Sequence, residues 1–197
     1  MSGLRETKKA ATRTTLARAA ARIALVEGAE GLTVAAVSTA AGVSPRTFHN
    51  YFSSMEEALV EFIVERTAGL VAEFHEVPTD TGLLAAVEQV LLAGLREDLG
   101  ERGELDSFVT IFQIGDVLQT LVGAQAQPDL ARHLRPVFDL MRPWTAGRGD
   151  FEAQVAIQVA VIVARTALET YYELPEPREV AVGEALVRRA FAVVRLA

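Results

Sequence analysis

The segment Gly42–Phe52, GVSPRTFHNYF, holds the side chains that are best suited to recognising a nucleic acid. Arg46 can donate a bidentate pair of hydrogen bonds to guanine O6 and N7, and Thr47 can meet a thymine methyl group or a phosphate. His49 and Asn50 follow on the flank that we predict to be exposed. The chemistry indicated is recognition through hydrogen bonds and charge, rather than turnover of a substrate.

Two short helices around a glycine turn would position these side chains. Thr33 is placed to cap a helix over residues 34–41, and Ser44 is placed to cap the next, with Pro45 at its first position, where no N–H is needed. Gly42 can adopt a left-handed backbone without strain and so makes the turn. The predicted arrangement is a helix-turn-helix. The residues expected to be buried within it are Val37, Ala41, Val43, Phe48 and Tyr51.

The composition fits a soluble, cytoplasmic protein. The chain has 197 residues, of which 50% are hydrophobic, and it has no cysteine, which excludes a disulfide scaffold and a thiolate zinc site. The N-terminus lacks the apolar stretch of a signal peptide. The most apolar region, residues 155–164, is shorter than the ~20 residues that cross a bilayer. We therefore expect no membrane partner.

Charge is distributed unevenly along the chain. The formal net charge is -7, yet residues 1–52 contain seven Lys or Arg and three acidic residues, which gives this segment +4 and leaves -11 for the remainder. A basic head on an acidic body predicts that contact with an anionic polymer is confined to the head. A merely solubilising role for the N-terminal lysines is the alternative.

The remaining sequence has helical patterns almost throughout, and no alternating run is long enough for a strand. We predict an all-α fold of about nine helices. Residues 1–53 would form a three-helix helix-turn-helix DNA-binding domain, and residues 54–197 a second, larger helical domain. The first helix covers about 8–26, and Ser53 or Ser54 caps the fourth. Later helices are expected at about 81–99, 105–123, 128–141, 151–174 and 178–196.

Residues 8–60 resemble the N-terminal domain of the TetR family of transcriptional regulators. The matching motifs are Thr33-Val34-x-x-Val37, Ala41-Gly42-Val43-Ser44, Thr47-Phe48-x-x-Tyr51-Phe52 and Glu57-Ala58-Leu59. The resemblance implies a homodimer whose recognition helices enter successive major grooves of a near-palindromic, double-stranded operator, with half-sites about 34 Å apart. It also implies that residues 54–197 are a helical ligand-binding and dimerisation domain, which binds a small-molecule effector.

The resemblance further implies roles for individual residues. Thr33 and Ser44 would hold phosphates, while Arg46 and Thr47 would face bases. Met55 stands where the family usually has a lysine that contacts a phosphate, and the basic N-terminal residues could compensate. The predicted DNA-binding residues are Lys8, Lys9, Arg13, Thr33, Ser44, Arg46, Thr47, His49 and Asn50.

A ligand pocket in the helical body would need an apolar lining with a few fixed polar groups. Gln113, Asp116 and Arg165 each lie among apolar residues in a predicted helix, where an unpaired charge is costly. Structural pairing or exposure is the alternative for each of them. The predicted ligand-binding residues are Phe108, Phe112, Gln113, Asp116, Trp144 and Arg165.

Catalytic and metal chemistry have little support in the sequence. None of His49, His75 and His133 has a partner at i+3 or i+4 that would make a metal pair, and the chain has no phosphate-loop, dinucleotide or nucleophile-elbow motif. We predict no enzyme activity, no metal and no cofactor.

The last two predicted helices are apolar on more than one face. This pattern indicates either intramolecular core or a two-fold interface in which each subunit contributes two helices. The resemblance favours the dimer.

Together these patterns predict a ligand-responsive transcriptional regulator, more specifically a repressor that a small molecule releases from DNA. One alternative is a helical module that has lost operator binding and sequesters a ligand or binds a protein, which only Met55 supports. The other alternative is a small all-helical enzyme.

Overall fold

The computed structural model describes residues 2–73, 77–97, 108–123, 135, 138–139 and 141–195. Within these ranges the chain forms eight α-helices and two short 3₁₀ turns, and it forms no strand. The helices are α1 Ser2–Gly31, α2 Val34–Ala40, α3 Pro45–His49, α4 Met55–Glu73, α5 Leu83–Glu97, α6 Phe108–Val122, α7 Asp150–Tyr172 and α8 Val180–Arg195. The 3₁₀ turns are Thr79–Thr81 and Arg142–Thr145. The predicted all-α fold is confirmed, and most of the helix expected at 128–141 lies outside the described residues.

The chain divides into two compact units. The first consists of residues 1–66 and 113–134, and the second of residues 67–112 and 135–197. The predicted division into residues 1–53 and 54–197 follows chain order, whereas the units follow contacts in space, so that division stays a prediction.

The first unit is organised around α1, α2 and α3, in which α1 packs on α2 and α2 packs on α3. One apolar stripe of α1 is buried: Leu16 and Ala20 have no exposed surface, and Ile23 and Ala24 are almost completely covered. Gly28 interrupts α1 with φ 68° and ψ -161°, close to where the sequence predicts that the helix ends. The structure adds residues at both ends of the expected 8–26 range.

The second unit is built from α5, α7 and α8, each of which packs on the other two. Its core combines aliphatic residues of all three helices with Trp144, Tyr171 and Phe191. The core face of α7 repeats at helical spacing. Its buried residues are Ala153, Ile157, Ala160, Ala164, Ala167, Leu168 and Tyr171.

Helix α7 is also the one helix of the described residues that is long and apolar enough, by length and composition, to cross a membrane. Its 23 residues include an 18-residue window with a mean hydropathy of 1.4. A core helix of a soluble protein satisfies the same criterion, and the buried face of α7 packs against α5 and α8. Its composition is therefore weak evidence for a membrane span.

Candidate nucleic-acid interface

Side-chain caps begin both short helices at the residues that the sequence indicates. The Thr33 hydroxyl accepts a hydrogen bond from the Ala36 N–H at 3.1 Å, and the Ser44 hydroxyl accepts one from the Thr47 N–H at 3.1 Å. These bonds satisfy N–H groups that the first turn of a helix leaves without a partner. Pro45 occupies the first turn of α3, where its missing N–H has no consequence.

The turn between α2 and α3 depends on Gly42. Its φ of 69° lies in the left-handed region, and its N–H donates to the Thr39 carbonyl at 3.1 Å. The next residue, Val43, donates to the Ser38 carbonyl at 2.9 Å. These bonds close the C-terminal end of α2 and set the angle at which α3 departs.

We expect Gly42→Ala to lower the free energy of unfolding by about 1–2 kcal/mol, because a Cβ strains this left-handed backbone. The space around the glycine is open, since no atom lies within 4 Å of the added carbon, so the loss is one of backbone conformation. Urea titration followed by circular dichroism measures this loss of stability.

The matched control is Gly115→Ala in α6, where the added carbon also meets nothing within 4 Å but the backbone is helical. That change should raise stability by roughly 0.5–1 kcal/mol. Equal effects at the two sites would contradict the role given to Gly42.

Buried and half-buried apolar side chains hold α3 in place. Val37 and Phe48 are fully buried, while Ala41, Val43 and Tyr51 are half-buried, so the predicted packing residues all lie at least partly inside. The Phe48 ring meets Phe52 at a centroid distance of 5.7 Å. A five-residue helix is too short to persist alone, so these contacts and its cap must hold α3 in place.

The opposite side of α3 carries the exposed polar residues. Ser44, Arg46, His49 and Asn50 are exposed, and Thr47 is half-buried, with its hydroxyl oxygen 2.9 Å from that of Ser44. The structure thus brings five of the nine predicted DNA-binding residues together within one helix and its caps. Elsewhere, Thr33 is exposed before α2, and Lys8 and Lys9 are exposed on α1.

Arg13 lies in a different environment from these residues. Its Nη1 donates to the Tyr51 carbonyl at 2.6 Å, and its Nη2 lies 2.8 Å from Glu61 and 3.4 Å from Glu57. Its guanidinium also lies over the Phe52 ring, 4.4 Å from the centroid. The hydrogen bond to Glu61 is the largest cause that raises the pKa of Arg13 above its usual value, against a smaller lowering by burial. The predicted DNA-contacting arginine is thus engaged within its own domain.

Glu57 is an organising residue whose contacts the sequence pattern did not predict. Its carboxylate accepts hydrogen bonds from the Ser53 N–H at 2.8 Å and the Ser53 hydroxyl at 2.7 Å, while the Ser54 hydroxyl accepts from the Glu57 N–H at 3.3 Å. Burial raises the pKa of Glu57, but the bonds from Ser53 and Arg13 outweigh burial and leave the pKa lowered. The sequence Ser53-Ser54-Met55-Glu56-Glu57 does carry the signal of a capping box, which is a serine followed three residues later by glutamate.

The predicted ligand-binding residues are divided between the two units. Phe112 packs half-buried against the core of the second unit, which includes Trp144, and the Trp144 indole N–H donates to the Val77 carbonyl at 3.2 Å. Arg165 pairs along α7 with Glu169 at 2.8 Å. In the first unit, Gln113 is exposed and Asp116 is half-buried.

For three other residues named in the sequence analysis, the structure describes no side chain. Phe108 is the first residue of α6, but its side chain is not among those described. His75 and His133 also lie outside the described residues, and His49 is exposed. Among the residues that the structure does describe, no group of three or more metal-ligating side chains comes together.

An open groove of 480 Å³ lies in the second unit, where the start of α5 meets the start of α7 and the end of α8. Of the predicted ligand-binding residues whose side chains the structure describes, none lines it. Its lining residues are Thr81, Gly82, Leu83, Leu84, Ala85, Arg148, Phe151, Glu152, Val155, Ala156, Val159 and Arg195. Single-sequence patterns do not show this groove, because its lining residues come from three segments far apart along the chain.

The capped and anchored α3, with its exposed polar face, defines a helix-turn-helix protein of the DNA-binding class. Residues 16–62 match the family of bacterial regulatory proteins called the tetR family. This match covers the N-terminal domain, which is therefore similar to that of the tetR family of bacterial regulatory proteins. The resemblance seen in the sequence is confirmed.

Over most of its length, the chain shares its fold with a solved structure. That structure, determined by crystallography at 1.54 Å resolution, is of a Mesorhizobium loti MAFF303099 protein assigned to the TetR family of transcriptional regulators. The two chains are 14% identical, the similarity covers 93% of this chain and 96% of that chain, and the TM-score is 0.51. No curated protein sequence matches the chain. At this identity, the similarity in structure shows a shared fold.

Proposed function

We propose that the protein is a cytoplasmic transcriptional repressor that binds a near-palindromic operator as a homodimer and is released by a small molecule. The observation that carries the DNA-binding part is α3 itself. This short helix is capped by Ser44 and anchored by Phe48, and it exposes Arg46, His49 and Asn50 on its outer side. A helix held in this way can enter a major groove, where Arg46 reads guanine.

The hydroxyl groups of Thr33, Ser44 and Thr47 have hydrogens that they can donate to phosphate oxygens. The Thr33 oxygen already accepts from the Ala36 N–H, so its own O–H is available to donate. The Ser44 and Thr47 hydroxyls share one hydrogen bond, which leaves one of their two hydroxyl hydrogens for a phosphate oxygen. These contacts would fix the register of α3 on the duplex, whereas Arg46 would supply the sequence preference.

An exposed apolar face on α7 supports the homodimer. Phe151, Val155 and Ile162 are 73%, 42% and 62% exposed, and they lie on the side of α7 opposite to its buried residues. The neighbouring α8 exposes Val182 and Val193 by 41% and 69%. Two such helices from each subunit can bury these residues in a four-helix bundle across a two-fold axis. The same symmetry would present two α3 helices to a palindromic site.

A small-molecule effector is the third element, and the family resemblance carries it. An effector that binds the second unit would shift the population towards a dimer whose recognition helices no longer match two successive major grooves. Phe112 and Trp144 are the predicted residues that share one core there. Because coupling between two sites is reciprocal, operator DNA must weaken effector binding by the same factor as effector weakens DNA binding.

Selection of genomic DNA fragments by the purified protein tests this proposal. Enrichment of a two-fold symmetric site, followed by anisotropy titration at several salt concentrations, would support a dimeric regulator. Failure to enrich any site would instead favour a module that has lost operator binding. Met55, half-buried at the start of α4 where the family usually has a lysine, gives that alternative its only support. Turnover of a bound small molecule would point to an enzyme.

We expect Lys9→Ala to weaken binding to operator and random DNA alike, because an exposed lysine on α1 can meet the backbone of any duplex. The plot of log K against log salt should become less steep, by about 0.9 per subunit or roughly 1.8 per dimer. Anisotropy titrations between 50 and 200 mM salt measure this slope. Arg135→Ala, at an exposed residue of the acidic second unit, is the matched control and should leave the slope unchanged. A loss confined to operator DNA would rule out a backbone contact by Lys9.

A further inference from the structure

Arg13 connects three parts of the first unit that are far apart in sequence. It lies on α1, its Nη1 binds the carbonyl of Tyr51 in the turn after α3, and its Nη2 pairs with Glu57 and Glu61 on α4. The bonds reach 38 to 48 residues along the chain. The guanidinium also covers the face of Phe52, which is itself 1% exposed.

These contacts make Arg13 a poor partner for phosphate. Two carboxylates lie within 3.4 Å of one guanidinium nitrogen, so the formal charge of the three side chains together is negative. A phosphate that approaches Arg13 would meet both glutamates, and like charges that close repel. Each of the three side chains is about one third exposed, which leaves the carboxylates near the path of an incoming anion.

The same contacts hold the turn that follows the recognition helix from both sides. Arg13 of α1 holds Tyr51 and Phe52, while Glu57 of α4 accepts the N–H and hydroxyl of Ser53. Charge-assisted hydrogen bonds of this kind are about twice as strong as neutral ones and fix direction as well as distance. The cap at Ser44 fixes the other end of α3. The orientation of this five-residue helix thus depends on what holds its two ends.

We propose that Arg13 is a positioning residue, which sets the orientation of α3 through Tyr51, Glu57 and Glu61, and that it makes no phosphate contact. This inference rests on the proposed function, since it concerns operator binding. It assigns Arg13 a role opposite in kind to that of Lys9, although both are basic residues of α1.

The salt dependence of Arg13→Gln separates the two roles. If Arg13 positions α3, Arg13→Gln should weaken operator binding roughly tenfold or more, because charge-assisted hydrogen bonds are lost. The slope against salt should stay as in the unchanged protein, and random DNA should be affected less than operator. A slope reduced by about 0.9 per subunit, as expected for Lys9→Ala, would overturn the proposal.

Glu61→Gln, which removes the charge of a carboxylate paired with Arg13, should change operator affinity in opposite directions for the two roles. If Arg13 contacts phosphate, Glu61→Gln frees its guanidinium and tightens operator binding beyond the general effect of removing a negative charge. If Arg13 positions α3, Glu61→Gln weakens operator binding, and the double variant with Arg13→Gln loses less than the sum of the single losses. Glu65→Gln, the same charge change at an exposed residue of α4, is the matched control.

Hydrogen exchange in the free protein keeps this test separate from the proposed function. If Arg13 holds the turn, amide exchange over residues 45–53 should be faster in Arg13→Gln than in the unchanged protein, while exchange in α7 stays the same. Unchanged exchange over 45–53 would overturn the positioning role, whether or not DNA binds. If exchange accelerates but the unchanged protein selects no operator, the proposed function fails and the structural link made by Arg13 stands.

Discussion

Arg46→Ala should weaken operator binding by roughly 30-fold to 10⁴-fold, because a base contact worth about 1–3 kcal/mol is lost in each of two half-sites. Arg46 is exposed on α3, and its neighbours Ser44 and Phe48 hold the helix that carries it. Binding to random DNA should change little, since base contacts carry the sequence preference. The preference for one base pair in each half-site should be lost as well.

Anisotropy titrations of operator, random DNA and operators substituted at single base pairs measure all three effects. Arg22→Ala is the matched control, because it removes the same charge from an exposed residue of the same domain but outside α3. Its effect on operator and on random DNA should be similar and small. Equal losses on the two DNAs for Arg46→Ala would show that this arginine contacts backbone rather than bases.

The local geometry of the candidate interface could be predicted from the sequence because it depends on near neighbours. The Thr33 and Ser44 caps each bond an N–H three residues ahead, and Gly42 acts through its own backbone. Residue types alone therefore place the starts of α2 and α3 and the turn between them. The exposed face of α3 follows, because Val37 and Phe48 fix which side is buried.

The environment of Arg13 could not be predicted in this way. A basic residue in a basic N-terminal segment resembles its neighbours Lys8 and Lys9, and nothing local distinguishes them. The difference comes from Glu57 and Glu61, which are 44 and 48 residues away along the chain and come close only when α1 and α4 fold together. The pattern of residue types along a single sequence carries no information about such distant pairs.

The second unit shows the same limit more broadly. The periodicity of α7 and α8 predicts two helices with apolar residues on more than one face. Both helices form, and both expose large apolar side chains. The roles of individual polar and aromatic residues were harder to predict. Trp144 bonds the Val77 carbonyl 67 residues away, and Arg165 pairs with Glu169 one turn along α7. An isolated polar residue in an apolar helix has several such outcomes, and only packing decides among them.

Ile162→Glu is expected to convert the protein from dimer to monomer. Ile162 is 62% exposed on the face of α7 that points away from the core, so the change should leave the fold of the subunit intact. In a two-fold bundle, however, a carboxylate would be buried in each of two symmetric copies. Because burying an unpaired charge is costly, dimer affinity should fall by at least roughly 100-fold. Sedimentation velocity at micromolar concentration should then report the mass of one chain, 21.2 kDa.

Operator binding should fail together with the dimer, since each half-site alone offers one recognition helix. Gln154→Glu introduces the same charge at an exposed position of α7 beside the apolar face, and it should leave both the dimer and DNA binding in place. Circular dichroism should show equal helix content for the two variants. A dimeric Ile162→Glu variant would place the interface elsewhere on the molecule, and the exposed face of α7 would then need another partner. A monomeric variant with unchanged operator affinity would instead separate DNA binding from dimerisation, because a single α3 would then suffice for recognition.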